Sequence, residues 1–196
     1  MISKQLQAAI LTLALVILLM GLYGVHLKRQ AERLQNTQQV HAIAPPVTGP
    51  SGELTLWVPY DSDGTLHEQQ VEATLPQDPG QRGQQAIHAL LATLEARNSP
   101  HPIAAGDVRA VYLLNENSAV VDLNAQLADQ HRSGIQPEQL TVFSMVQTMS
   151  SAAPKVTRVR FLVDGHDRET LAGHIDLKSW YDVASVAAAS RQLAQH

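Results

Sequence analysis

Two kinds of apolar periodicity alternate along residues 53–181, and this alternation limits the folds open to the chain. The stretch "ELTLWVPY" places Leu54, Leu56 and Val58 on one face, which is the spacing of a β-strand. Apolar residues then recur at i, i+3, i+4 and i+7 from Ile87, which is the spacing of an amphipathic helix. Both periods in a chain of 196 residues predict a single small α/β (α+β) domain.

The rest of that region repeats the same two patterns. The segments "VRAVYLLN" and "SAVVDLN" predict a hairpin across Glu116-Asn117, and a second helix is predicted to open at Pro137. The segment "VTRVRFLV" alternates like a strand and is predicted to turn at Asp164-Gly165 and pair with "ETLAGHID". We therefore expect a mixed or antiparallel sheet with two main helices on one face.

An uncharged apolar segment, residues 8–27, lies between Lys4 and Lys28. Its roughly 20 residues are enough to cross the hydrocarbon core of a bilayer. We interpret it as an uncleaved transmembrane signal-anchor after a short N-terminal segment, residues 1–7. The alternative is a cleaved signal peptide, in which the apolar region has only about 7–15 residues and a small-residue cleavage site follows.

Residues 28–52 are polar and then rich in proline and glycine, which predicts a tether in extended conformation. The predicted domain covers residues 53–181. Residues 182–196 carry many alanines and predict a helical tail, which either packs on the domain or contacts a partner.

Composition excludes several classes of function. The net charge is −4 and basic residues are scattered, so the chain offers no basic patch for a nucleic acid partner. The absence of cysteine excludes disulfides, thiolate metal sites and a cysteine nucleophile, and also lipid attachment through an N-terminal cysteine.

The stretch "DSDGTLHEQQVE", from Asp61 to Glu72, has the oxygen ligands of a calcium-binding loop at positions one, three, five and twelve. Position six, which needs glycine in such a loop, is Leu66. The flanks are strand-like, and Asp63-Gly64 is a hairpin signal. We interpret the stretch as a turn between two strands.

Catalytic motifs are weak. The chain has no G-x-S-x-G nucleophile elbow and no H-E-x-x-H zinc motif. His166, Asp167, His174 and Asp176 are interpreted as solvated polar residues, and we expect no metal and no cofactor. A carboxylate pair for glycan cleavage depends on the fold and leaves a cell-wall hydrolase or metal-dependent enzyme as the alternative function.

The hairpin ending in "VVDLN", the helix carrying "SMVQTM" and the segments "VTRVRFLVDG" and "LAGHIDL" resemble the GerMN domain of spore-germination and sporulation proteins. The resemblance implies a non-catalytic α/β domain on the outer side of the cytoplasmic membrane. It also implies association with peptidoglycan or an envelope protein assembly. Members are often lipoproteins, whereas this chain lacks the cysteine and carries one copy of the domain.

The positive-inside rule bears on orientation, because Lys28, Arg29 and Arg33 follow the anchor and favour a cytoplasmic body. The resemblance implies the opposite, a single-pass protein with its domain outside, and we adopt that orientation. We expect a non-catalytic, membrane-anchored binding or scaffold module of the envelope, with a sporulation or germination role open to it. The candidate binding loops comprise six residues: Asn115, Glu116, Asn117, Asp164, Gly165 and His166.

Overall fold

The computed structural model describes residues 49–97 and 107–193, which belong to one unit, Val47–His196. The predicted signal-anchor, residues 8–27, lies outside the described residues, as do residues 1–7, residues 28–48 of the tether and residues 194–196. In chain order the elements are β1 (Ser51–Tyr60), β2 (Thr65–Thr74), α1 (Pro79–Ala96), β3 (Val108–Asn115), β4 (Ser118–Leu123), α2 (Ala125–Gln130), α3 (Ile135–Ala152), β5 (Arg158–Val163), β6 (Tyr181–Asp182) and α4 (Val183–Leu193).

Strands β1 and β2 form an antiparallel hairpin, and the stretch that resembles a calcium loop is its turn. Gly64 has a φ of 69°, a conformation that glycine adopts at little cost, and its N–H donates to Tyr60 O at 2.9 Å. Glu72, the last ligand of the hypothetical loop, lies far along β2, opposite Glu53. The interpretation as a turn is confirmed.

The remaining strands form a second sheet in the order β3-β4-β5-β6. The hairpin of β3 and β4 is confirmed, whereas β4 and β5 are parallel, because helices α2 and α3 carry the chain back between them. The mixed α/β class is therefore confirmed, and the strands divide between two sheets where the sequence led us to expect one.

The predicted pairing of β5 with "ETLAGHID" is wrong. The antiparallel partner of β5 is the two-residue strand β6, and residues 169–176 form only an isolated bridge, Thr170 with Asp176. The reason is that the backbone N–H groups of Ala172, His174 and Ile175 donate to the carboxylate of Glu138. A segment folded over a carboxylate cannot use those donors in a ladder.

Helix α1 begins as its sequence dictates, since Asp78 Oδ1 accepts from Gln81 N at 2.8 Å and proline occupies the first helical position. The predicted stripe is confirmed: Ile87, Leu90, Leu91 and Leu94 are all buried.

Helix α3 is the central element, in contact with α1, β1 and α4. Its core residues Val142, Met145, Val146 and Met149 are buried, as expected for apolar residues at helical spacing. Helix α4 docks on it through Gln147 Nε2, which donates to Ser190 Oγ at 2.8 Å.

Within residues 49–97 and 107–193, no helix combines the length and the apolar character that crossing a membrane requires.

The register of the first hairpin generates a prediction, because Glu53 and Glu72 lie directly opposite each other on an exposed face. Like charges at this spacing repel, so Glu72→Gln should raise the free energy of unfolding by roughly 0.2–1 kcal/mol. Chemical denaturation measures this gain, and added salt should shrink it. The matched control is Glu68→Gln, which faces Trp57 and should produce no comparable gain; an equal gain in both variants would contradict the pairwise repulsion.

Candidate functional site

The two predicted binding loops lie at opposite ends of the second sheet. Strand β4 begins at Ser118, directly after loop 115–117, and ends at Leu123, whose parallel partner Val163 precedes loop 164–166. A strand of this length spans about 20 Å at roughly 3.3 Å per residue. The two loops therefore cannot form one site.

Loop 164–166 is tied to the end of β4. Asp164 Oδ1 accepts from the N–H of Ala125, the first residue of α2, at 3.2 Å and from Arg109 Nη1 at 3.0 Å. Gly165 N donates to Asp122 Oδ1 at 2.8 Å, and Asp122 is itself buried. The two aspartates thus hold the strand ends and the start of α2 together.

The third residue of that loop, His166, is exposed and contributes to the turn through its backbone. Its N–H donates to Val163 O at 3.1 Å, and its carbonyl accepts from Val163 N at 2.9 Å. Gly165 and the side chain of His166 are the exposed parts of this loop.

Loop 115–117 packs against the segment that joins α3 to β5. Asn117 O accepts from Thr157 N at 2.9 Å, and Glu116 Oε2 accepts from Lys155 Nζ at 3.0 Å. The Glu116–Lys155 pair is exposed, with 80% and 75% of the side chains open to solvent, so it contributes little to stability. It forms one rim of a groove.

This groove has a volume of about 520 Å³ and lies between the start of α1, the end of β3 and the segment from α3 to β5. Most of its lining is apolar. The lining residues are Pro79, Arg82, Leu113, Asn115, Glu116, Ala153, Pro154, Lys155 and Val156. A concave, mainly apolar site of this size with a few polar groups is the usual form of a ligand pocket. Two of the predicted loop residues, Asn115 and Glu116, belong to it.

Arg82 and Lys155 are the cationic side chains among the described residues that line the groove, and Lys155 is paired with Glu116. The Nε of Arg82 is buried, and no atom among residues 49–97 and 107–193 accepts a hydrogen bond from it. Within the same ranges, no carboxylate forms an ion pair with Arg82. The nearest acid along the helix, Asp78, is engaged as the N-cap.

A second unusual group is the carboxylate of Glu138, which is fully buried at the start of α3. Its Oε1 accepts from Gly134 N at 3.1 Å, and its Oε2 accepts from the backbone N–H of Ala172, His174 and Ile175, each at 3.0 Å. The imidazole Nδ1 of His174 lies 2.9 Å from Oε1.

The pKa of Glu138 follows from these contacts. Burial by itself raises the pKa of the carboxyl, but the hydrogen bonds from backbone N–H groups and from His174 stabilise the charged form and lower the pKa to about 2. Glu138 is therefore ionised at neutral pH. Its bonds to Ala172, His174 and Ile175 fasten the segment 172–175 to α3, and its bond to Gly134 fixes the start of that helix, which is a structural role.

The polar residues near the C-terminal part of the domain do not converge. His174 contacts Glu138, while Asp167 accepts from Arg160 Nη2 at 2.8 Å and Asp176 Oδ1 accepts from Lys178 N. Among residues 49–97 and 107–193, no three His, Cys, Asp or Glu side chains are grouped so that they could hold a metal ion.

Sequence reasoning missed Arg82 and Glu138. For Arg82 the available signal was weak: an arginine in the first turns of a helix whose only nearby acid is the capping Asp78. For Glu138 the signal was an acidic residue beside apolar residues at the start of a helix. The same pattern is equally typical of an exposed acid that the helix dipole favours. The residues that line the groove with Arg82 and most of the N–H groups that bind Glu138 come from distant parts of the chain.

Comparison with known protein families decides the identity of this fold. The sequence model of the Germane family, described as "Sporulation and spore germination", matches residues 55–169. This match covers more than half of the chain. The chain is a member of the Germane family. The resemblance to a GerMN domain is confirmed.

Similar solved structures include two from Bacillus subtilis and one from Clostridium perfringens. A lipoprotein candidate from C. perfringens is 19% identical, with a TM-score of 0.46, and the match covers 74% of this chain and 95% of that one. The first GerMN domain of the B. subtilis sporulation protein GerM is 16% identical, with a TM-score of 0.46, and covers 65% of this chain and 94% of that one. The tandem GerMN domains of GerM are 16% identical, with a TM-score of 0.47; the match covers 66% of this chain and 45% of that one. No curated protein sequence matches.

The residues that carried the resemblance serve the Germane fold as turns, caps and packing positions. Asp122 and Gly165 are hydrogen-bonded to each other across the parallel strands. Thr148 Oγ1, buried on α3, accepts from Trp57 N at 2.9 Å and so joins α3 to the edge of β1.

The Glu138 cluster generates a prediction about stability and pH. Because the folded-state pKa of about 2 lies below the ordinary value of 4.5, the stabilisation is fully present above pH 4.5 and is lost as the pH falls toward 2. Its size is on the order of 3 kcal/mol. Glu138→Gln should lower the free energy of unfolding at pH 7 by roughly 2–4 kcal/mol and should flatten its dependence on pH in that window.

Chemical denaturation of both proteins between pH 7 and pH 2.5 measures this. The matched control is Glu169→Gln, since Glu169 forms an exposed pair with Lys178 and its loss should change stability little. A Glu138→Gln variant as stable and as sensitive to acid as the wild type would contradict the role assigned to the carboxylate.

Proposed function

We propose that this Germane protein is a non-catalytic binding module of the cell envelope that docks a segment of a partner protein in the groove beside loop 115–117. Residues 8–27 anchor it to the cytoplasmic membrane, with the domain on the extracytoplasmic side. The family description, "Sporulation and spore germination", supports a role in sporulation or germination.

The observation that carries this proposal is the chemistry of the groove. Its walls are mainly apolar, and its polar groups are Arg82, Asn115 and the ion-paired Glu116 and Lys155. Glycan cleavage uses two carboxylates on either side of the bond. Among the described residues that line it, the groove supplies a single carboxylate, Glu116, which is paired with Lys155, so its geometry favours binding over the alternative of a cell-wall hydrolase.

A protein segment fits the groove better than the sugar chains of peptidoglycan. Apolar wall residues that remain open to solvent, such as Pro79, Leu113 and Pro154, favour a ligand that removes apolar side chains from water, whereas sugars bring hydroxyl groups that need hydrogen-bond partners. Peptidoglycan is therefore the competing partner that an experiment must distinguish.

Site-specific photo-crosslinking in cells tests the proposal. A photoreactive benzoylphenylalanine at Asn115, on the rim of the groove, should give a discrete adduct with a second protein. The control position is Glu72, which lies on the exposed face of the first hairpin and should give no such adduct.

Three outcomes are informative. An adduct from position 115 that survives digestion of the cell wall supports a protein partner. If a muramidase releases the adduct and no second protein is attached to it, and if insoluble peptidoglycan retains the purified protein, then the partner is the cell wall and not a protein. Identical patterns from both positions would reject the groove as the binding surface.

The proposed location has an independent test, because the chain contains no cysteine. A single Ser62→Cys change places a thiol in the exposed turn after β1. In intact cells it should react with a membrane-impermeant maleimide, whereas Ser3→Cys, on the other side of the anchor, should react only after lysis. The reverse pattern would place the domain in the cytoplasm.

A further inference from the structure

The groove holds a cation that lacks a counterpart. Arg82 lines the groove, and no carboxylate among residues 49–97 and 107–193 forms an ion pair with it. Its Nε is buried, so a ligand in the groove would contact the terminal Nη groups of the guanidinium. Arginine is always protonated in proteins, so this positive charge is permanent.

The remaining charges around the groove do not offset Arg82. Lys155 and Glu116 compensate each other at the rim, with 3.0 Å between Nζ and Oε2. One positive charge is therefore left among the lining side chains.

Apolar surface surrounds this charge. Leu113 and Pro154 keep apolar surface open to solvent on its walls, whereas Ala153 and Val156, which also line it, are almost completely buried. A ligand that satisfies the whole groove therefore needs an apolar group and a negative group side by side. A carboxylate is the natural negative group, because the planar guanidinium matches its two oxygens.

We propose that the groove binds a peptide segment in which an apolar side chain lies next to a carboxylate, and that Arg82 binds this carboxylate. The inference rests on the proposed function and states the chemistry of its partner. A protein segment is favoured over a lipid, because the rim is polar and exposed at Asn115, Glu116 and Lys155. An acyl chain would remain partly in water there, whereas a peptide backbone finds hydrogen-bond partners.

Selection from a phage-displayed library of random dodecapeptides tests the inference, with the purified full-length protein in mild detergent as the bait. Enriched sequences should combine an apolar residue with Asp or Glu, or with a free terminal carboxylate, at adjacent positions. Their affinities are then measured with synthetic fluorescent peptides, each beside a twin in which the carboxylate is replaced by an amide.

Variants at Arg82 connect the selected peptides to this side chain. Arg82→Gln should weaken binding about tenfold or more, and Arg82→Lys should fall between, since it keeps the charge and loses the planar geometry. The amide twin should bind the wild type as weakly as the acidic peptide binds Arg82→Gln. Combining the amide twin with Arg82→Gln should cause no further loss of affinity, because both changes remove the same interaction. Arg132→Gln, a change at an exposed arginine outside the groove, should leave affinity unchanged.

A charge exchange and a blocked groove complete the test. Arg82→Glu should bind peptides whose acid is replaced by lysine in preference to the originals. Pro154→Trp, at an exposed lining position, should obstruct the groove and abolish binding. Thermal unfolding of each variant confirms that it is folded.

The outcomes separate this inference from the proposed function. If Pro154→Trp abolishes the binding of the selected peptides but Arg82→Gln leaves it unchanged, the proposed role of the carboxylate is wrong. The groove then remains a docking site. If no peptide is enriched on the wild-type protein relative to the Pro154→Trp variant, both the role of the carboxylate and the proposed docking function are wrong.

Discussion

The carboxylate of Glu138 is the interaction on which the rest of the domain depends. It is fully buried and accepts hydrogen bonds from four backbone N–H groups, one before α3 and three in the segment 172–175. A buried charge persists only when its partners replace the water it has lost, and here the backbone itself provides them. The bonds fasten a segment without helix or strand to the central helix and leave β5 to pair with the short strand β6.

The central helix in turn positions the groove. Helix α1 approaches α3 closely at Gly83, where an added Cβ would come within 2.5 Å of Met149 Sδ, so a larger residue would require the end of the Met149 side chain to move. Arg82 precedes this contact, and Ala153, directly after α3, begins the opposite wall. The walls of the groove therefore belong to elements that the core holds at a set distance, which suits a preformed binding site.

Local elements could be predicted because their causes are local. The stripe from Ile87 to Leu94, the turn at Asp63-Gly64 and the hairpin from β3 to β4 each follow from periodicity or from residues with particular backbone preferences. The pairing of "ETLAGHID" was mispredicted because its alternation suits a strand, while a carboxylate more than thirty residues earlier captures its N–H groups. Local propensity does not determine the conformation of a segment where a distant partner offers it stronger hydrogen bonds.

The candidate site, too, has parts that follow from the local sequence and parts that depend on tertiary contacts. The sequence by itself determined the class of fold, the core faces of α1 and α3 and the loop 115–117, because these depend on neighbours along the chain. Only the tertiary structure decided that the two predicted loops lie at opposite ends of a sheet and that one borders an apolar groove with Arg82. The parallel register of β4 and β5 and the contact of α1 with β3 join residues far apart in sequence, and no local pattern encodes which distant surfaces meet.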